Sequence, residues 1–172
     1  MTPAELTAIM PHAGPRAAIY ADPLTITMVE FQIDTPKRQA AFLANLAHES
    51  GSLRYVEEIA SGAAYEGRRD LGNTEPGDGV RFKGRGLPQI TGRDNYRRCG
   101  RALGLDLLSS PELLEQPLHA ARAGGWFWHD KNLAILADAD KFGSLCRNWN
   151  GGYNGIDDRI QHWIRIRKCL GL

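Results

Sequence analysis

Cysteine is scarce in this sequence, and its spacing suits no cross-link or metal site. The three thiols, Cys99, Cys146 and Cys169, are odd in number and form no CxxC pair, which excludes a disulfide framework and a structural zinc site. They read as reduced, mostly buried thiols of a protein made in the cytosol. The histidines (His12, His48, His119, His129 and His162) show no paired ligand spacing either, so neither a metal nor another cofactor is expected. Long apolar runs are missing: nothing approaches the ~20 residues a membrane-spanning helix needs. The start, MTPAELTAIMPHAG, lacks the charged opening and continuous apolar core of a secretory signal. Stable membrane insertion is therefore not expected, and action outside the cytoplasm would need another route of release. Excess charge is absent as well. With 21 Lys and Arg against 20 Asp and Glu, the net charge is +1. That gives no global field toward nucleic acid, although RDNYRRCGR and IRIRK are locally basic and could meet an anionic polymer.

What is present is a chain of 172 residues, suited to one domain over 1–172 with room for a second lobe. Helix signals recur along it. TPAELTAIM carries a cap at Thr2, proline at the first helical position and Glu5 three residues after the cap. DPLTITMVEFQ repeats the plan from Asp22 and Pro23, and TPKRQAAFLANLAHE repeats it from Thr35 and Pro36. Further helices are expected at 93–103, 111–115, 117–129, 133–142, 144–149 and 157–170, the last with Ile156, Ile160, Trp163, Ile164 and Arg167 on one face. Between them, residues 61–88 are dense in Gly, Pro, Asn and Asp and read as a long functional loop with a short hairpin around Pro76–Gly79. The class is mainly α.

The stretch LAHESGSLRYVEEIA holds the first candidate chemistry. Phe42, Leu46 and Glu49 share one stripe of their helix, so the Glu49 carboxyl projects from the apolar side at the negative end of the helix dipole. Both circumstances disfavour its anion, as a general acid requires. Glu58 lies nine positions on. In an unbroken helix that spacing is a rotation of roughly 180° and a rise of about 13–14 Å, which would part the two carboxyls. Gly51 and Ser52 supply a break, after which Glu58 can face Glu49 across a cleft. Two carboxyls so placed suit glycoside hydrolysis, one protonating the leaving oxygen and the other activating water, at roughly 6.5–9.5 Å in an inverting pair. Spacing alone leaves open that both are solvated helix residues. It also leaves Glu57, Glu66, Asp70, Glu75 and Asp78 as competitors.

A second cluster, FKGRGLPQITGRDNY, sets uncharged hydrogen-bonding groups (Gln89, Thr91, Asn95) among glycines, and a third, NWNGGYNGIDDR, combines amides with aromatics. Neither carries a phosphate-loop spacing. Both have the composition of sugar-binding surfaces. In this order, AHESG (47–51), EE (57–58), GRGLPQITGRDNY (84–96) and NGGYNGIDDR (150–159) resemble glycoside hydrolase family 19, the chitinases and related peptidoglycan-cleaving phage endolysins. The resemblance covers roughly residues 30–165, and RQAAFLANLAHES is similar to the phage branch.

The resemblance implies a single catalytic domain with a lysozyme-like, two-lobed helical fold and a Gly-rich loop or small hairpin beside the cleft. It implies Glu49 as general acid, Glu58 as general base and Thr91 as a holder of the attacking water. His48, Tyr65, Gln89, Asn95, Asn150 and Arg159 are the implied substrate-binding positions, with Arg159 interacting with the base and His48 positioning the acid. The expected function is an endolysin cleaving β-1,4 bonds of peptidoglycan glycan strands. Such a protein would be a monomer held in the host cytoplasm until release, without nucleic-acid partners. Its helices at about 97–147 would form a small lobe that grips the wall. A chitinase acting on chitin oligosaccharides is the alternative, and a non-catalytic glycan-binding module is the alternative of another class. Proline sits one residue later here than in the chitinase-like GRGPIQLT, and the cysteines do not follow the secreted plant pattern.

Overall fold

The computed structural model describes all 172 residues and is built from nine α-helices with short 3₁₀ turns between them. Helix α1 (Pro3–Ile9) forms where its sequence predicts. The Thr2 hydroxyl accepts from the Glu5 N–H, and the Glu5 carboxylate accepts from the Thr2 N–H at 2.6 Å, closing a capping box. Helix α2 (Arg16–Glu30) corrects the sequence reading, which started it at Asp22 and Pro23. Pro23 lies inside the helix. Its missing N–H removes one rung, a loss of about 3 kcal/mol in an isolated helix. The buried stripe Ala17, Tyr20, Ala21, Leu24 and Met28 runs straight through the proline and offsets that loss by burial.

Helix α3 (Pro36–Glu49) is the axis of the molecule. Thr35 caps it by accepting from the Arg38 N–H, and every residue from Ala40 to Ala47 is buried. A helix apolar on all sides must be surrounded. Helices α7 (Leu133–Asp138), α8 (Phe142–Asn150) and α9 (Ile156–Cys169) pack on α3, while α6 (Pro117–Asp130) packs on α2. The contact of α2 with α6 is close because residue 125 has no side chain: a Cβ on Gly125 would stand 2.2 Å from Phe31 Cδ2.

The buried apolar residues fall into two clusters. The larger joins α1, α2, α3, one face of α6 (Ala120, Ala121 and Trp128), α7–α9 and Leu87. The smaller joins Phe82, Ile90, Tyr96, Cys99, Leu103, Leu107, Leu114, Ala123 and Trp126, around α5 (Arg93–Leu103). Within residues 97–147, Cys99, Leu103, Leu107, Leu114, Ala123 and Trp126 thus bury in the small core, whereas Leu133, Ala137, Phe142, Leu145 and Cys146 bury in the large one.

Two further readings change. Residues 78–81, expected in a hairpin, form the short helix α4 (Asp78–Arg81), because the Asp78 carboxylate collects the N–H groups of Thr74 and Glu75 and the guanidinium of Arg93. The buried line of α9 runs through Arg159, His162 and Ile166, leaving Ile164 about half exposed at 53%. A charged and a polar residue therefore occupy face positions that periodicity assigned to isoleucine. Of the three free thiols, Cys99 and Cys146 are buried but Cys169 is exposed. No helix is long and apolar enough to cross a membrane.

Candidate active site

Glu49 is the last residue of α3, and its side chain is 20% exposed. Its Oε1 accepts from Arg159 Nη2 at 2.5 Å, and Arg159 Nη1 donates to Asn45 Oδ1 at 2.6 Å. Asn45, one turn before Glu49, is fully buried and donates to the Ala41 carbonyl, so its amide orientation is set. The Arg159 side chain is only 2% exposed. Burial and the helix's negative end were the only influences on Glu49 that the helix pattern revealed. The structure adds a third of opposite sense, a buried cation bonded to one carboxyl oxygen. Oε2 takes no hydrogen bond from the protein and is left for a ligand.

Immediately after Glu49 the helix stops. Gly51, Ser52 and Leu53 have φ of 55°, 57° and 67°, three successive residues in the left-handed region. The Ser50 hydroxyl locks the break: it donates to the Leu46 carbonyl at 2.6 Å and accepts from the Leu53 N–H at 2.8 Å. The buried Leu53 side chain holds a left-handed backbone conformation that costs non-glycine residues about 1–3 kcal/mol. The Gly-Ser interruption read from the sequence is therefore a built turn.

The turn delivers residues 56–58 alongside residues 84–86 in antiparallel pairing. The Glu58 N–H donates to the Gly84 carbonyl at 2.8 Å, and the Gly86 N–H donates to the Val56 carbonyl at 2.8 Å. Arg85 and Ile90 in turn exchange both backbone bonds, folding 85–90 into a tight turn. Thus β pairing does occur beside the site, at 57, 85 and 90 rather than at 76–79.

Glu58 is held on both oxygens. Tyr65 Oη donates to Oε1 at 2.9 Å, and the Gly84 N–H donates to Oε2 at 3.0 Å. Burial, followed by the hydrogen bond to Glu58 and its charge, pushes the Tyr65 phenol up, so it remains a donor at neutral pH. A side chain at Gly84 would displace those of the site. A Cβ would stand 2.7 Å from Gln89 Oε1 and 3.3 Å from Glu58 Oε2, which also shows that these two side chains share one patch. Gln89 itself is left-handed at φ 57° and donates through Nε2 to the Gly86 carbonyl. Thr91 Oγ1 donates to the Gln89 carbonyl at 3.1 Å, keeping its lone pairs available, and Asn95 Nδ2 donates to the Thr91 carbonyl at 2.8 Å.

Four of the five competing carboxylates are engaged elsewhere, and the Glu75 carboxylate makes no side-chain hydrogen bond or ion pair. Glu57 pairs with Lys83 and Arg85, Glu66 accepts from the N–H groups of Gly77 and Gly79, Asp70 pairs with Arg68, and Asp78 with Arg93. So Glu58, Tyr65, Gln89, Thr91 and Asn95 come together on one side, and Glu49 with Arg159 on another scaffold. Asn150, at the end of α8, donates to the Asn154 carbonyl, and His48 Nδ1 lies 2.7 Å from Asp158 Oδ2. One expectation is corrected. Arg159 bonds Glu49, the expected acid, and not the expected base Glu58, because α9 packs along α3 and carries its guanidinium to that helix's end. Sequence reasoning missed Asn45. Its only signal is its place four residues before Glu49 on an otherwise apolar helix.

The family model described as Chitinase class I, that of glycoside hydrolase family 19, matches residues 32–135. The chain belongs to glycoside hydrolase family 19. It is 34% identical over 187 residues to "Endochitinase At2g43610" of Arabidopsis thaliana, an alignment covering 100% of this chain and 65% of that protein. It is 32% identical over 156 residues to "Glycosyl hydrolase family 19 domain-containing protein" of Haemophilus influenzae, covering 72% of this chain and 76% of that one. The crystal structure of chitinase C from Streptomyces griseus superposes with a TM-score of 0.81 at 27% identity, covering 99% of this chain and 76% of that one. The chain thus spans just under two thirds of the plant relative. The match takes in Glu49, Glu58 and Thr91, while Asn150 and Arg159 lie beyond it, and Arg159 reaches Glu49 through the fold.

Proposed function

We propose that the chain is a glycoside hydrolase that cleaves β-1,4 bonds between N-acetylhexosamine units, with chitin oligosaccharides as its substrate class. The observation that carries this reading is the unequal fixing of two carboxyls on separate scaffolds. Glu58 has a donor on each oxygen and is oriented as an acceptor, suited to take a proton from water. Glu49 has Arg159 on Oε1 and a free Oε2, suited to give a proton to the leaving oxygen, and Arg159 stabilises the anion left behind. Water then attacks the anomeric carbon as the glycosidic bond breaks. Its proton passes to Glu58, and the new hydroxyl has inverted configuration. Thr91, beside Gln89 on the same turn, would hold that water, and Gln89, Asn95 and Asn150 would meet the sugar's hydroxyl and acetamido groups.

The names of the plant and Streptomyces relatives support chitin ahead of peptidoglycan. Peptidoglycan shares the β-1,4-linked backbone, so an endolysin acting on the wall after release from a host cytoplasm is the finer alternative. Parallel digestion of chitin hexaose and purified peptidoglycan separates the two, with NMR of the first-formed anomer. Cleavage of the hexaose to α-anomeric products supports the proposal. Cleavage of peptidoglycan alone replaces it by the endolysin reading, and mass spectrometry of the reduced muropeptides then identifies the bond. No cleavage of either, with glycan binding retained, leaves a non-catalytic module.

A further inference from the structure

The contact between the last turn of α3 and the first turn of α9 is double. His48 and Glu49 are consecutive on α3, and Asp158 and Arg159 are consecutive on α9. His48 Nδ1 lies 2.7 Å from Asp158 Oδ2, and Arg159 Nη2 lies 2.5 Å from Glu49 Oε1. The charges alternate across the two rungs, base to acid and acid to base. We propose that Asp158, acting through His48, is a positioning residue that sets the rotation of α9 and so aims Arg159 at Glu49; this rests on the glycosidase reading above.

The geometry supports it in three ways. Consecutive helix residues project about 100° apart, so one bonded pair fixes a distance between the helices whereas two fix the rotation of one about its own axis. That rotation matters because the first turn of α9 has no side-chain cap: its N-cap is Gly155, in the left-handed region at φ 69°. The His48 ring lies directly on this glycine. A Cβ there would stand 2.2 Å from Cε1 and 2.3 Å from Nε2, so the ring and the residue without a side chain are fitted to each other. Arg159, for its part, has few restraints of its own. Its Nε is buried without a partner, and only Asn45 and Glu49 receive its two terminal nitrogens.

Asp158 is a charged anchor for this purpose. Burial alone would raise its carboxyl, but the His48 hydrogen bond and the charges of His162, His48 and Arg159 outweigh that and hold it below the usual value. Because a carboxylate only accepts, the hydrogen between them sits on His48 Nδ1. The same Oδ2 lies 3.6 Å from His162 Nε2, one turn on along α9. Both imidazoles thus orient on one oxygen of Asp158.

The test uses Asp158→Ala and Asp158→Glu in the full chain. With chitin hexaose, Asp158→Ala is expected to lower kcat by about 10-fold or more, the scale of a small misalignment of a reacting group. KM should stay within about 2-fold, and Asp158→Glu should recover part of kcat. An unchanged kcat, or a rise in KM with kcat unchanged, overturns the proposal. A second readout is independent of activity. The Arg159 terminal N–H protons, bonded to Asn45 and Glu49, should give resolved side-chain NMR signals in the wild type and lose them in Asp158→Ala. Signals that persist unchanged overturn the positioning role. A wild type that cleaves neither glycan, yet loses these signals on Asp158→Ala, overturns the glycosidase reading and retains the double clasp. Should Asp158→Ala fail to fold, Asp158→Asn keeps the side-chain shape and is read in the same two ways.

Discussion

Replacing Arg159 by methionine keeps most of the apolar stem and removes the guanidinium. The structure sets the size of the effect. Two hydrogen bonds vanish, to Glu49 Oε1 and Asn45 Oδ1, from a side chain only 2% exposed. Hydrogen bonds to a charged group contribute about 1.5–3 kcal/mol each, and breaking a buried ion pair from one side costs about 3–5 kcal/mol. Glu49 is 20% exposed, so water can reach its carboxylate once the arginine has gone, which favours the low end. Arg159→Met should therefore destabilise the fold by about 3 kcal/mol. For a chain of this size that is a fall in Tm of roughly 6–12 °C, and in urea a midpoint lower by roughly 1–3 M. The decisive arm is the double variant. If the penalty comes from stranding the Glu49 charge, adding Glu49→Gln to Arg159→Met should restore about 1 kcal/mol or more, a coupling measurable by a double-mutant cycle. A double variant no more stable than Arg159→Met, or a single variant within about 0.5 kcal/mol of wild type, refutes the reasoning that the guanidinium and this carboxylate depend on each other.

Glu58→Gln should lower the hydrolysis rate by about 10²–10⁴-fold, the usual worth of general acid-base catalysis, while urea midpoints stay close to wild type. Gly125→Ala puts a Cβ 2.2 Å from Phe31 and 2.7 Å from Thr27 in the contact of α2 with α6, and thermal melts should show a loss of about 1–3 kcal/mol. Asp78 is the acid-sensitive point of the long loop. The Arg93 hydrogen bonds, against the opposing effect of burial and with the N–H groups of Glu75 and Thr74, hold its carboxyl below the usual value. A depressed carboxyl contributes stability that is complete above the unfolded value, about 3.9, and is lost as pH falls through the folded one. Stability measured by urea from pH 6 to pH 3 should thus fall less steeply in Asp78→Asn than in wild type; parallel curves would remove Asp78 from the account.

How far the sequence reveals the site depends on the range of each signal. The capping box of α1, the Thr35 cap of α3, the stop after Glu49 and the polar turn at 84–96 are local, carried by neighbouring residues, and they stand where the pattern puts them. In α2 an aspartate–proline pair is not a start signal, because the apolar stripe from Ala17 precedes it. The α9 face was misjudged for a different reason. Periodicity counts apolar residues and passes over a buried arginine, yet Arg159 and His162 line the inner face because Asn45, Glu49 and Asp158 await them. The partners of Arg159 are 110 or more residues away in the chain, and nothing in a local window pairs them.

The two carboxyls stand on different supports. Glu49 is fixed by α3 and α9, whose apolar residues lie in the larger cluster. Glu58 is fixed through Gly84 on a paired segment that reaches both clusters: Phe82 and Ile90 are buried in the smaller one with Tyr96, while Leu87 is buried in the larger one and Val56 packs against it. Tyr96 ties the two ends of this second scaffold: its hydroxyl donates to the Lys83 carbonyl at 2.6 Å and accepts from Arg85. Between the carboxyls run only the left-handed turn at 51–53 and the short paired segment at 56–58. The spacing of the two carboxyls is therefore set by the left-handed turn and by the paired segment, which is anchored in both clusters. On the proposed mechanism that gap must leave room for a water. The nine-residue spacing looked unsuitable on a helix because it presumed one continuous element; the left-handed turn makes the spacing a bridge between two supports.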